Sequence, residues 1–291
     1  MKSLKSQFAT ILVALVTGFS GGTNAVSAPM TNWYLDMDGS ENQRDAVQVR
    51  DSLDLEGDTY IHNTFDTNNP NDFTFQAVGG LFAFTADGGP SAGGVLLGPL
   101  GTDTYLTASF TGTGKGTIGG NLTFTSGHLN VYSFVYDPND PEIHTVLHYI
   151  GTFELLAGST SFFGNTVFQD GVFQMMFQST RLREGYLFDA SMNDLANSDQ
   201  AVSFTMNSNA VAINSDDYNP LMGETLIEIY NLAFASNMPY TLEPDGVNDL
   251  FFLHNGQYRL GLGSDVPEPG SLALLCIGLV GMLGLRRFGG K

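Results

Sequence analysis

Between residues 73 and 262 apolar and polar side chains alternate with period two, in short runs punctuated by Gly, Asn, Asp and Pro. Successive side chains of a strand point to opposite faces, so this period describes half-buried β-strands with one face toward a core and one toward water. The runs are 73–78, 81–85, 105–111, 117–125, 129–136, 146–155, 172–182, 186–189, 202–206, 226–232, 250–254 and 257–262. Gly79-Gly80 between the first two and Asn255-Gly256 between the last two read as the tight turns of β-hairpins. No stretch of a dozen residues carries a comparable helical period, and 182–196 comes nearest. Many short strands, glycine-rich turns and no helix predict an all-β domain of the β-sandwich or jelly-roll kind. The best candidate for a linker or long loop is Asp87-Gly88-Gly89-Pro90-Ser91-Ala92-Gly93-Gly94, but too few strong strands precede it to stand alone. One domain over 26–265 is therefore expected, with no internal repeat of fixed period.

The two ends are of another kind. Lys2 and Lys5, an apolar stretch over 8–19 and small residues up to Ala28 read as a secretory signal peptide, to be exported by the Sec machinery. Thr23 and Ala25 satisfy the small-x-small rule, whereas a cut after Ala28 would meet Pro29, so the expected signal is 1–25 with cleavage after Ala25. At the other end Val266-Pro267-Glu268-Pro269-Gly270 precedes an apolar run over 271–285, then Arg286 and Arg287, then a stub ending at Lys291. As a transmembrane helix 271–285 is roughly 22 Å long, short of the roughly 30 Å hydrocarbon core, which suits a temporary anchor. The positive-inside tendency keeps Arg286 and Arg287 cytoplasmic and places everything before Gly270 across the membrane. Pro267 and Pro269 stop a helix from continuing upstream and hold Glu268 extended, the form in which a protease takes its substrate.

Motif, span and basic end in that order resemble the PEP-CTERM sorting signal of Gram-negative bacteria, and Pro267, Glu268 and Pro269 stand at its motif positions. The resemblance covers 266–291. It implies an exosortase as processing partner, transient anchoring in the inner membrane through the C-terminal helix, and a final place at the cell surface or outside the cell. A looser similarity rests on four segments. They are Gly112-Thr113-Gly114, the run 129–136 entering Asp137-Pro138, Ile150-Gly151-Thr152-Phe153-Glu154-Leu155, and Gly185-Tyr186-Leu187-Phe188. This order is similar to the flocculation-associated PEP-CTERM proteins, aromatic-rich β proteins of the extracellular polymer matrix. It implies a structural or adhesive role among extracellular polysaccharide, in biofilm or flocs, and carries over no catalytic residue.

Charge narrows the partners. Signal and tail hold five of the 11 cations and Glu268, so the body keeps 6 cations against 29 acids, a net charge of −23. Such a surface repels nucleic acid and anionic lipid and attracts divalent cations or cationic polymers. The sole cysteine, Cys276, lies in the apolar tail, so the body has no disulfide and depends on core and loops, unless metal helps.

Candidates for chemistry are few. Gly89-Pro90-Ser91-Ala92-Gly93 has the spacing of a nucleophile elbow around Ser91, but Gly94 and Gly98-Pro99 leave no helix to follow, so a loop is expected. The segment Gly112-Thr113-Gly114-Lys115-Gly116-Thr117 has Gly116 where a phosphate-binding loop needs Ser or Thr, and is expected to be a hairpin turn. His144 and His148 fall on one side of a strand, farther apart than on a helix, and are expected to face solvent rather than zinc. The acidic loops Asp137-Pro138-Asn139-Asp140-Pro141-Glu142, 66–72, Asn214-Ser215-Asp216-Asp217 and Glu243-Pro244-Asp245-Gly246-Val247-Asn248-Asp249 offer oxygens of the kind Ca²⁺ takes. No cofactor is demanded. Asp137 with Asp140, and Asp245 with Asp249, are the candidate Ca²⁺ pairs, set against the turn-forming role of the same residues. Asp36-Met37-Asp38-Gly39 comes nearest an EF-hand loop but places Gly two positions early. Trp33 is the only tryptophan, a poor endowment for sugar stacking, and the 22 Phe and 11 Tyr are expected mostly in the core. The reading is a non-enzymatic, exported matrix protein. Its alternatives are a carbohydrate-binding module, which an exposed row of aromatics would favour, and a secreted hydrolase, which a cleft with convergent carboxylates would favour.

Overall fold

The computed structural model describes residues 28–37, 39, 46–87, 95–96, 104–135, 145–162, 170–213 and 245–263. Thirteen strands lie among them: β1 (Ala28–Pro29), β2 (Trp33–Leu35), β3 (Val47–Val49), β4 (Leu53–Phe65), β5 (Asp72–Ala86), β6 (Val95–Leu96), β7 (Thr104–Thr117), β8 (Thr123–Val135), β9 (Thr145–Phe162), β10 (Gly171–Leu182), β11 (Leu187–Phe188), β12 (Ala201–Ile213) and β13 (Asp249–Gly263). The all-β expectation holds for these residues. Residues Pro29–Leu262 form one compact unit.

The sandwich or jelly roll does not hold. Eight long strands pair in the order β4-β5-β7-β8-β9-β10-β12-β13, and β13 pairs back to β4 from Asp249 opposite His62 to Tyr258 opposite Leu53. Each long strand meets its neighbour in sequence, so the sheet is an up-and-down meander closed on itself. Period-two alternation reports one buried face and is the same for two packed sheets as for one rolled sheet; the pairing of first with last strand, which abolishes two edges, has no local signature.

An eight-stranded closed sheet has an interior just wide enough for side chains. Here aromatic rings fill it. Phe75 meets Phe124 edge-on at 5.0 Å, Phe110 meets Phe124 at 5.8 Å and Phe177 at 5.9 Å, and Phe173 meets Phe252 at 5.8 Å. Edge-to-face pairs add to the burial of the rings themselves. Room for them comes from β7, where Gly112, Gly114 and Gly116 take the inward positions. A Cβ on Gly112 would stand 2.6 Å from Phe110 Cζ, one on Gly116 2.6 Å from Phe73 Cζ, and one on Gly114 would strike the Phe75 ring and the Thr123 carbonyl. The run 112–117 is thus strand and not the expected hairpin turn.

The turn signals misplaced other elements for the same reason. Gly79-Gly80 lies inside continuous β5, with Gly79 between Thr59 of β4 and Phe110 of β7. Asn255-Gly256 lies inside β13, where a Cβ on Gly256 would stand 2.5 Å from the Asn207 carbonyl oxygen of β12. A type I′ turn needs positive φ at both central residues, and none of these four has it. They are thin places that let a ring or a neighbouring strand approach. The true hairpin between β7 and β8 falls within the run expected as strand 117–125: Gly120 N–H donates to the Thr117 carbonyl at 2.8 Å, and Gly119 takes φ 74°. The near-helical stretch 182–196 is β11 and the start of a single 3₁₀ turn, Leu195–Asn197, capped by Asp194. The run 226–232 lies outside the described residues.

A second sheet, β11-β2-β3, places Trp33 in the core at 1% exposure. The only tryptophan is packing, not a sugar platform. Facing outward on the main sheet, Thr64, Thr74, Lys115, Thr123, Ser159, Gln174 and Asn207 lie opposite one another across seven strands, all exposed. Along this row the outer face is polar, where the outer band of a membrane barrel is apolar; nearer the closing seam the same face carries the buried Tyr60, Val78 and Phe251. Among the described residues no helix is long and apolar enough to cross a membrane; the expected span 271–285 lies outside them.

Candidate functional site

The described acidic loops use their carboxylates on their own backbone. Asp245 Oδ1 accepts the N–H groups of Val247 at 2.8 Å, Asn248 at 2.7 Å and Asp249 at 2.9 Å, and its Oδ2 accepts the Asn248 amide at 2.8 Å. Burial pushes the Asp245 carboxyl up, but these donors together outweigh it and hold the pKa below the usual value. Asp87 Oδ2 accepts from Arg50 N–H at 2.7 Å, and its Oδ1 from Asp51 at 2.6 Å and Ser52 at 3.1 Å, with the same depression of its pKa. Asp189 accepts from Ser191 and Asn193. Aspartate is here a turn builder.

Asp249, the second member of the 245–249 pair, points elsewhere. Its Oδ1 accepts the Tyr60 hydroxyl at 2.6 Å and lies 2.7 Å from His62 Nδ1. A cation at Asp245 and Asp249 would compete with donors already in place. The other candidate pair, Asp137 and Asp140, lies outside the described residues, as do His144, Ser91, Asp38 and 214–217. Among the described residues no group of three or more His, Cys, Asp or Glu side chains is arranged to hold a metal ion.

An open groove of about 610 Å³ lies at the turn end of β4, β5, β7 and β8. Two carboxylates line it, yet Asp66 accepts from Asn68 N–H, and Asp72 accepts from the Thr117 hydroxyl at 2.9 Å and the Asn69 amide at 2.6 Å. Within the barrel a cavity of about 10 Å³, the space of one water, is lined in part by Thr59, Gly79, Phe173 and His254. His254 is 4% exposed, its Nδ1 lies 3.2 Å from Ser208 Oγ, and its Nε2 has no hydrogen-bond partner among the described residues. Burial pulls this imidazole down to about 4. His148 is half-buried with its ring 5.9 Å from Tyr186, packed rather than turned to solvent.

One surface cluster escaped the sequence reading. Tyr132 of β8 and Tyr149 of β9 face outward opposite each other, rings edge-on at 5.8 Å, and the Arg181 guanidinium of β10 lies 5.5 Å over Tyr149. Tyr149 Oη and Thr152 Oγ1 are 2.6 Å apart, and Thr152 donates to Asn130 Oδ1 at 2.6 Å. The available signal was phase: Tyr132 shares the outward parity of His128 and Asn130.

The sorting residues Pro267, Glu268, Pro269, Arg286 and Arg287, and the signal cut at Ala25, lie outside the described residues. Comparison with known families matches residues 265–287 to the PEP-CTERM protein-sorting motif. No curated protein and no solved structure matches the chain. The match bears on sorting. It implies export, a membrane-anchored sorting signal before processing, and recognition by an exosortase. Over residues 265–287 the chain thus carries a PEP-CTERM protein-sorting motif, which supports a PEP-CTERM sorting-domain protein.

Proposed function

We propose that the mature barrel is a structural, adhesive component of the extracellular polysaccharide matrix, taking part in biofilm or floc formation, and that it is not an enzyme. The observation that carries this reading is the barrel itself: a sheet without free long edges, filled with rings, polar outside, and delivered by a sorting signal. Asp87, Asp189 and Asp245 are engaged in turns, and the two carboxylates that line the groove, Asp66 and Asp72, already accept hydrogen bonds from neighbouring groups. A strongly acidic barrel without disulfide persists outside the cell through its core, and presents a hydroxyl- and amide-rich exterior to hydrated polymer. The Sec-dependent signal, cleavage after Ala25, and the transient helix over 271–285 belong to the same proposal.

Deleting the gene tests it. The expected result is altered aggregation, flocculation or polymer retention with unchanged growth across carbon sources. A growth defect on one polymer, restored by the wild-type chain but not by Ser91→Ala, would move the reading to a secreted hydrolase.

A further inference from the structure

Arg181 and Arg183 are two of the body's six cations and stand two residues apart at the end of β10. Both are exposed and both lie on tyrosine rings, Arg181 at 5.5 Å over Tyr149 and Arg183 at 5.6 Å over Tyr186. Among the described residues neither forms an ion pair, although Glu154 occupies the next row of the sheet and Asp199 lines the same depression as Arg181. A guanidinium stacked on a ring is held in place while its N–H edge stays available.

The groups around it are fixed as donors. Thr152 has one hydroxyl proton and gives it to Asn130 Oδ1, so the Tyr149 hydroxyl must donate to Thr152. Asn130 thereby has its Oδ1 occupied, and what it has left to offer a ligand is its Nδ2 donors. Asn130, Thr152 and Arg181 form one row across β8, β9 and β10, and Tyr132 with Tyr149 forms a neighbouring row. The patch thus offers two amide N–H groups, a guanidinium and the Tyr132 hydroxyl over half-buried aromatic edges. Its complement is a ligand with oxygen acceptors, one negative charge and an apolar C–H face.

We propose that this patch is a subsite for a hexuronate unit of an acidic polysaccharide. The sugar carboxylate takes the Arg181 fork, ring hydroxyls accept from Asn130 Nδ2 and meet Tyr132 Oη, and the C–H face lies against the tyrosines. The site rests on the reading of the protein as a matrix component and names the polymer chemistry it would hold. The acids of the body oppose any polyanion, and at 0.15 M salt the screening length of about 8 Å confines that opposition to near neighbours, Glu154 and Asp199, against which the Arg181 fork must prevail.

The test uses mature protein recovered from the host and calorimetric titration at 0.15 M salt with galacturonate oligomers, against uncharged glucose oligomers of equal length. Wild type binds the uronate oligomers and the glucose oligomers more weakly. Arg181→Ala loses about tenfold or more, and Tyr149→Phe, which keeps the ring under Arg181 but frees Thr152 and Asn130, loses several-fold. Arg259→Ala, an exposed cation on β13, leaves binding unchanged. The proposal is overturned by no uronate binding in wild type, by equal binding of both oligomers, or by an equal loss in Arg259→Ala. No uronate binding together with an intact deletion phenotype removes this subsite and leaves the matrix role standing.

Discussion

Acidification should weaken the barrel through a single imidazole. His254 points inward from β13, its ring edge-on to Phe173 at 4.8 Å, and protonation would place a charge among aromatic rings. Burial lowers its pKa from 6.5 to about 4 in the fold, so the unfolded chain binds the proton first. Stability is therefore full above pH 6.5 and is lost as pH falls toward 4. At about 1.36 kcal/mol per pKa unit the loss is roughly 2 kcal/mol at pH 5 and roughly 3 kcal/mol below pH 4. Asp58 acts in the opposite sense: desolvation raises its carboxyl from 3.8 to about 6, so the folded state takes up that proton first and gains stability between those values. Asp58 is only partly buried, and solvent screening discounts its share to about 1 kcal/mol or less. Urea unfolding at pH 7 and pH 5 of wild type, His254→Leu and Asp58→Asn separates the two. His254→Leu should lose roughly 2 kcal/mol less than wild type between those pH values, and Asp58→Asn about 1 kcal/mol more. Parallel pH dependence in wild type and His254→Leu would refute the placement of this histidine.

Other outcomes follow from local geometry. Gly114→Ala drives a methyl into the Phe75 ring and the Thr123 carbonyl and should cost about 1–3 kcal/mol in urea unfolding, while Thr113→Ala on the outward face should cost under about 0.5 kcal/mol; equal effects would deny the inward placement of the glycines. Asp87→Ala orphans the N–H groups of Arg50, Asp51 and Ser52 and should cost about 1–2 kcal/mol, with Asp87→Asn closer to wild type, measured the same way. Because Asp245 is already occupied by its own backbone, Asp245→Asn should not alter the response of the melting temperature to millimolar Ca²⁺; a Ca²⁺ shift present in wild type, weaker with Mg²⁺ and abolished by Asp245→Asn would establish a cation site there.

Strand content was legible in the sequence because burial on one face imposes period two wherever the strand lies in space. The inward phase of Phe73, Phe75, Phe173 and Phe177 could be read directly, and so could the core role of most aromatics. Closure could not. It rests on the pairing of 53–62 with 249–258, nearly two hundred residues apart, and alternation is indifferent to that partner. Glycine misled for a related reason. At Gly79, Gly112, Gly114, Gly116 and Gly256 the small residue answers a ring or strand arriving from elsewhere in the chain, whereas at Gly119 it answers the local backbone. Sequence displays both as the same letter. The Tyr132, Tyr149 and Arg181 cluster is scattered over fifty residues and exists only through the register of β8, β9 and β10. The sorting motif needed no fold at all, since it is carried by the order of residues along the chain.

The central claim is that the barrel is made to be sorted, cut and left outside the cell. Intact mass of the protein recovered from the host's surface and medium, together with sequencing of both ends, tests it directly. The account predicts a chain beginning at Val26 and lacking the apolar segment 271–285. The triple substitution of Pro267, Glu268 and Pro269 by alanine should then remain in the membrane fraction at full tail length. Recovery of wild type outside the cell with residues 271–291 still attached, or equal release of the triple variant, would contradict it.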